Sequence, residues 1–201
     1  MSPRELPLFP LRTVLFPGGL LGLKVFEARY LDMVSACLRN ASPFGVVTLS
    51  RGAEAGRDAE VQFEAIGVLA EPFDVDSAQA GILQLRCRGT QRFTLDDPRQ
   101  QADGLWIAST TLLPGDEAVA PPEAMVPTVK GLAQAIGTLK EQGAEPFLEP
   151  FRFDNAGWVA NRWCEILPIP LTAKHKLMAL PDPLVRLKLV DDFLRSKGVI
   201  A

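Results

Sequence analysis

The sequence predicts an α+β fold, in which an antiparallel sheet that curls towards closure is followed by a bundle of helices. Three observations carry that prediction. Up to about residue 113, apolar residues come in short runs, several strictly alternating, separated by Gly, Pro, Asp and Asn. From Met125 onwards they recur at spacings of three and four. Between these regions lies Asp116–Pro122, acidic, small and proline-containing, with the character of a linker. The division is drawn at 119/120, with residues 1–119 β-rich and residues 120–201 helical.

The opening stretch, Leu6 to Leu38, sets the pattern. Leu6–Leu11 and Thr13–Phe16 are apolar runs punctuated by Pro10 and Pro17, which suits edge strands and not continued central ones. Pro17-Gly18-Gly19 marks a tight reversal, and Leu20–Phe26 reads as another strand. From Phe26 the period becomes helical, with Tyr30, Leu31, Val34, Cys37 and Leu38 on one face.

Ser42-Pro43 resets the chain, and Phe44–Leu49 reads as a buried strand. Arg51–Asp58 is polar and glycine-containing, so an exposed loop is expected. Glu60–Ile66 alternates and continues through Gly67 to Ala70, the glycine marking a bulge or bend. Asp74–Gly81 reads as a turn region, followed by strands at Ile82–Arg88, Arg92–Leu95 and Leu105–Leu113. About six strands and one early helix result.

Four helices follow. Met125, Val129, Leu132, Ile136 and Leu139 form one amphipathic face, ended near Gly143. Asn155 can cap a second helix carrying Val159, Trp163, Ile166 and Leu167, and Thr172 a short third reaching Leu180. Asp182 as N-cap, Pro183 at the first helical position and Gly198 past the end delimit the last. Its inward side is Leu184, Leu187, Val190 and Leu194.

Composition excludes several function classes. A net charge of −3, with −4 on residues 1–119 and +1 on the remainder, leaves neither part basic, which argues against nucleic acid. No apolar run approaches the ~20 residues needed to span a bilayer. The apolar stretch Thr13–Leu23 is broken by Pro17-Gly18-Gly19 and lacks a cleavage site, so it does not read as a signal peptide. A cytoplasmic protein without membrane association is expected. Cys37, Cys87 and Cys164 are odd in number, with no C-x-x-C, so free buried thiols are expected and not a disulfide framework or zinc site.

The search for catalytic chemistry comes up short. No Gly-Lys dipeptide occurs, so there is no P-loop; G-x-S-x-G and H-E-x-x-H are absent too. The one histidine, His175, lies between Lys174 and Lys176 and reads as a solvated helix-face residue. A Ser–Lys dyad is harder to exclude by motif, since its residues need not be adjacent; Ser2, Ser50, Ser77 and Ser196 fall in predicted loops or termini. The expectation is no enzyme activity, no cofactor and no metal.

Two apolar features remain. Phe147, Phe151 and Phe153 with Pro146 and Pro150 form a greasy segment between helices, either a loop folded back over the helical core or an exposed strip for a polypeptide. Phe26, Glu27, Arg29 and Tyr30 at the first helix start offer the same choice between capping and polypeptide contact.

LPLFPL, TVLFPGG and FE-x-RYLDM closely resemble the opening of the Lon protease N-terminal, substrate-binding domain family. The resemblance continues through Phe44–Val47, Gly52 and Glu54 in the following loop, Ile66–Ala70, Leu85–Phe93 with its Gly-Arg-Phe pattern, Glu165–Met178 and Asp182–Leu187. It implies a PUA-like pseudo-barrel followed by a helical bundle. It also implies a non-catalytic module that recognises unfolded or tagged polypeptide, here read as a stand-alone member lacking the ATPase and Ser–Lys protease domains. A separate ATPase or protease is then a candidate partner, and self-association stays open. Gly22 and Ala28 stand where family members often carry proline. The alternative reading is a small-ligand- or RNA-binding PUA-like domain.

Overall fold

The computed structural model describes residues 4–51 and 61–200. In chain order the elements of the first part are β1 (Arg4–Leu11), β2 (Leu20–Val25), α1 (Ala28–Asn40), β3 (Phe44–Arg51), β4 (Gln62–Phe63), β5 (Ile66–Gln79), β6 (Ile82–Gln100) and β7 (Trp106–Leu112). The helices α2 (Val126–Glu141), α3 (Ala156–Ile166), α4 (Leu171–Ala179) and α5 (Pro183–Ser196) follow. The α+β class and its order, sheet first and helices second, are as the sequence predicts. The chain divides into two units, Met1–Pro114 and Gly115–Ala201. The expected loop at Arg51–Asp58 falls, beyond Arg51, outside the described residues.

In the first unit the strand order β1-β7-β6-β5-β3 closes on itself, because β1 also pairs with β3. That closing pair is parallel; the other pairings are antiparallel. Closure removes the open edges of these five strands, while β2, which among the described residues pairs only with β6, stays outside the ring. β1 is therefore an internal strand, contrary to the edge position that its prolines suggest. It pairs with β7 along Arg4–Leu8 and with β3 along Leu8–Leu11. Pro7 precedes the β3 ladder and Pro10 lies past the β7 ladder, so each proline has one flank with no ladder bond to supply.

Leu6, Leu8, Val47, Phe93 and Ala108 fill the interior. The irregularity predicted at Gly67 falls between Val68 and Ala70, where the register shifts, and Gly67 itself serves packing. A Cβ there would lie 2.5 Å from the Phe93 ring and 2.6 Å from the Val46 carbonyl oxygen, so glycine makes the seat for this ring.

Three local expectations give way to tertiary pairing. Thr13–Phe16 is a loop and not a strand, exposed at Thr13 and buried from Val14 to Phe16; the turn after it joins the sheet through Gly18 N–H to Gly89 O (2.7 Å) and Gly89 N–H to Gly19 O (2.9 Å). Gly89 permits this, since a side chain would run into the Phe16 carbonyl. The predicted break in β6 is thus a docking point along one continuous strand, which also runs past Pro98 by a register shift between Asp96 and Arg99. The turn predicted over Asp74–Gly81 shrinks to Ala80-Gly81, because Asp74, Val75 and Asp76 pair with Arg86, Leu85 and Gln84. Cross-strand partners override the low strand propensity of aspartate.

On α1, Tyr30, Met33, Val34 and Cys37 are buried, whereas Leu38 is exposed. The inward stripe sits one position away from the predicted one at its C-terminal end.

The second unit packs Leu132, Ile136, Val159, Trp163, Met178, Leu187, Val190 and Leu194 into its core. Asn155 caps α3 by accepting from Trp158 N–H at 2.8 Å, and Asp182 caps α5 by accepting from Leu184 and Val185 N–H. The third cap differs: α4 starts after Pro170, and Thr172 lies inside the helix. Leu184, expected inward, is exposed.

Arg186 is buried in this unit. Its guanidinium donates to Asp116 Oδ2 (2.5 Å) and Oδ1 (3.1 Å), to Asn161 Oδ1 (2.9 Å) and to the Leu177 and Leu180 carbonyls. All five N–H groups are used, the condition under which a buried charge is tolerated.

Candidate functional site

In β2 the alternation places Leu21, Leu23 and Val25 opposite Cys87, Leu85 and Leu83 of β6, with Gly22 and Lys24 exposed between them. The chain leaves the sheet at Phe26, turns at Glu27 and enters α1. This corner bounds a cleft of about 250 Å³ lined by Phe9, Leu11, Gly22, Leu23, Lys24, Val25, Phe26, Glu27 and Tyr30.

The floor is aromatic. Tyr30 is buried and stacks on Phe9 with ring centroids 4.2 Å apart and planes at 20°, and Phe9 in turn meets Phe44 at 6.0 Å. Phe26 stands at the rim with 63% of its surface exposed, an unusual state for a phenylalanine.

Glu27 and Arg29 act on each other. Arg29 donates from Nη2 to Glu27 Oε2 at 2.7 Å and from Nη1 to the Gly104 carbonyl at 2.9 Å, while its guanidinium carbon lies 4.8 Å from the Tyr30 ring centre. The pair therefore ties the first turn of α1 to the β6–β7 turn and holds Tyr30 in place. Glu27 does not cap α1 through its side chain; its backbone carbonyl accepts from Tyr30 and Leu31. Lys24 has no carboxylate partner among the described residues.

Of the seven sequence-predicted contact residues, Phe26, Glu27, Arg29 and Tyr30 come together at this corner. Phe147, Phe151 and Phe153 lie in the second unit. Phe147 is buried. Phe151 and Phe153 are half-buried and pair with each other at 6.0 Å and with Trp158 at 5.9 and 5.4 Å. Lys140 Nζ lies 4.9 Å from the Phe151 ring centre. The segment packs onto its own helices.

Sequence reading missed Phe9, Leu11, Leu23 and Lys24 as cleft residues. The alternation of β2 could have flagged Lys24. The approach of Phe9 depends on β1 closing the barrel, which no local pattern announces.

The groups with perturbed ionisation lie away from the cleft. Burial pushes Cys37 up, and pushes Cys87 and Cys164 up to about 12; all three cysteines are free and buried, as the sequence suggests. Burial raises the Glu165 carboxyl to about 7 against the opposing pull of Arg162 and Lys174. Asp191 is held low: burial works against this, but hydrogen bonds from Thr128 and Arg195 outweigh it. His175 is buried on α4, contrary to the solvated position expected. Ser50 and Ser77 differ from expectation in lying in strands, while Ser196 ends α5 close to the C-terminus. Among the described residues no group of His, Cys, Asp and Glu is arranged to hold a metal ion, and no helix is long and apolar enough to cross a membrane.

The comparisons agree with this architecture. The family model of the ATP-dependent protease La (LON) substrate-binding domain matches residues 5–196. The chain belongs to the Lon substrate-binding domain family. Among solved structures, a Lon N-terminal domain protein from Xanthomonas campestris is 31% identical, with a TM-score of 0.76, over 93% of this chain and 96% of that one. The N-terminal domain of Mycobacterium avium complex Lon protease matches with a TM-score of 0.60 over 94% and 97% of the two chains; at 16% identity this likeness shows the fold alone. No curated protein matches the sequence.

Proposed function

We propose that this Lon-type domain recognises polypeptides, taking exposed apolar segments of unfolded or tagged chains into the cleft at the β2–α1 corner, and that it carries no catalysis of its own. The observation that carries the reading is the pairing of a stacked Phe9–Tyr30 floor with an exposed Phe26 at the rim. A rim aromatic next to a preformed apolar floor is the arrangement in which a peptide side chain loses most contact with water on binding. Glu27 and Arg29 act as positioning residues, and the Phe147–Phe153 segment serves the core of its own unit. A separate ATPase or protease would then act on what is bound.

The test is binding of a permanently unfolded model polypeptide, reduced and carboxymethylated α-lactalbumin, against native α-lactalbumin. Selective binding of the unfolded form is expected. Equal binding of both forms, or of neither, overturns the reading.

A further inference from the structure

The cleft has a second property that the apolar floor does not explain: one wall is the edge of a sheet. β2 pairs with β6 over all six of its residues, Leu20–Val25 against Arg88–Leu83, and among the described residues it has no strand on its other side. Alternate backbone groups along that edge therefore face away from the ladder, beside the cleft. The space over Gly22 is open, with no atom within 4 Å of where a Cβ would stand.

The two faces of this edge differ in chemistry. On the inward face lie Leu21, Leu23 and Val25, continuing into Phe9 and Leu11. On the exposed face Leu20, Gly22 and Lys24 stand opposite Arg88, Arg86 and Gln84 of β6. From β5, Glu71 stands opposite Arg88, and Asp74 stands opposite Arg86 and pairs with it at 3.7 Å, whereas Lys24, on the open edge, has no carboxylate partner among the described residues. The acidic residue in the cleft, Glu27, is already matched by Arg29.

We infer that an extended polypeptide segment joins the sheet along β2, alternating apolar side chains directed into the cleft with acidic side chains beside Lys24, the cation on the open edge. This rests on the polypeptide-binding reading and specifies its mode. Main-chain hydrogen bonds to β2 supply sequence-independent affinity, the floor selects apolar residues at every second position, and Lys24 selects the charge between them. A lone lysine on an edge strand also guards against unwanted edge pairing. An acidic partner strand turns that guard into a contact, whereas a basic one meets like charge.

The experiment uses the whole protein and a labelled ten-residue peptide alternating leucine with aspartate. Two further versions carry backbone N-methyl groups, one on every leucine and the other on every aspartate. Side-chain alternation fixes which face each residue takes, so only one set of N–H groups can point at β2. One methylated version is expected to bind at least tenfold more weakly than the parent, and the other within threefold of it. Replacing aspartate by lysine in the peptide should weaken binding at least tenfold, and Lys24→Glu should narrow that difference.

Equal behaviour of the two methylated peptides overturns strand addition. If unfolded α-lactalbumin still binds in that case, only the mode has failed. If it does not bind either, the polypeptide-binding reading has failed with it.

Discussion

Replacing Phe26 by serine should separate binding from folding. A phenylalanine side chain offers roughly 200 Å² of burial, and 63% of this residue is exposed in the free protein. A segment that covered it would bury about 125 Å² of new apolar surface, worth a ceiling of about 3 kcal/mol at 25 cal/mol/Å². Ordering of the bound segment and imperfect contact take part of this, so a loss of about 1.5–3 kcal/mol, ten- to a hundredfold in Kd, is expected. The fold should barely register the change, because truncation at an exposed position usually costs within about 0.5 kcal/mol. Fluorescence anisotropy with labelled, carboxymethylated α-lactalbumin reads the first quantity and thermal unfolding the second. Phe151→Ser is the counterpart. It removes the contacts with Phe153 and Trp158, so it should lower stability by about 1–3 kcal/mol while leaving Kd within threefold. A Phe26→Ser protein that binds within threefold of the parent, with unchanged unfolding, would refute the assignment of the cleft.

Three further outcomes follow from the packing. Asp116→Ala strands the buried Arg186 charge and should cost about 3–5 kcal/mol in urea unfolding; the double variant with Arg186→Met should recover much of that, since an apolar replacement needs no partner. Gly67→Ala forces a Cβ into the Phe93 ring and the Val46 carbonyl and should cost at least about 1–3 kcal/mol by the same measurement. Stability should also vary with pH in two opposed ways. Glu165 keeps its proton to about pH 7 in the folded state but only to about 4.5 when unfolded, so its ionisation lowers stability as pH rises through that window, and Glu165→Gln should flatten the decline. Asp191, held low when folded, contributes stability above the unfolded carboxylate range that is lost as pH falls through its folded value. Chemical denaturation between pH 3 and 8 should therefore show a maximum on the acid side of neutrality.

Much of the fold was legible because its signals are local. Asn155 and Asp182 cap helices as their residue types demand, and apolar runs bounded by turn residues mark β2, β3 and β7 close to their observed ends. The failures share one cause: pairing between distant segments. Pro7 and Pro10 argue for an edge until the closing of β1 onto both β3 and β7 gives each proline a flank without a ladder. Gly89 and Gly67 look like breaks, yet one admits the Phe16 loop and the other seats Phe93. Asp74 and Asp76 look like a turn until Arg86 and Gln84 lie opposite them. At the site, periodicity placed Tyr30 correctly on the inward face of α1, but nothing near it in sequence discloses Phe9 as its stacking partner.

This division bears on where ligand preference resides. In the stretches that carry the family resemblance, Phe9, Phe16, Gly89, Arg29 and Tyr30 build the barrel closure, the docked loop and the cleft floor. Changes there would act through the fold and would alter all ligands together. Lys24 and Phe26 stand at the rim, exposed, and Gly22 leaves the space above the strand open. Substitution at these three positions changes charge, apolar area and access with little cost to stability. On the proposed polypeptide-binding reading, they are where one domain of this architecture can come to favour a different polypeptide from another, while the Phe9–Tyr30 floor stays the same.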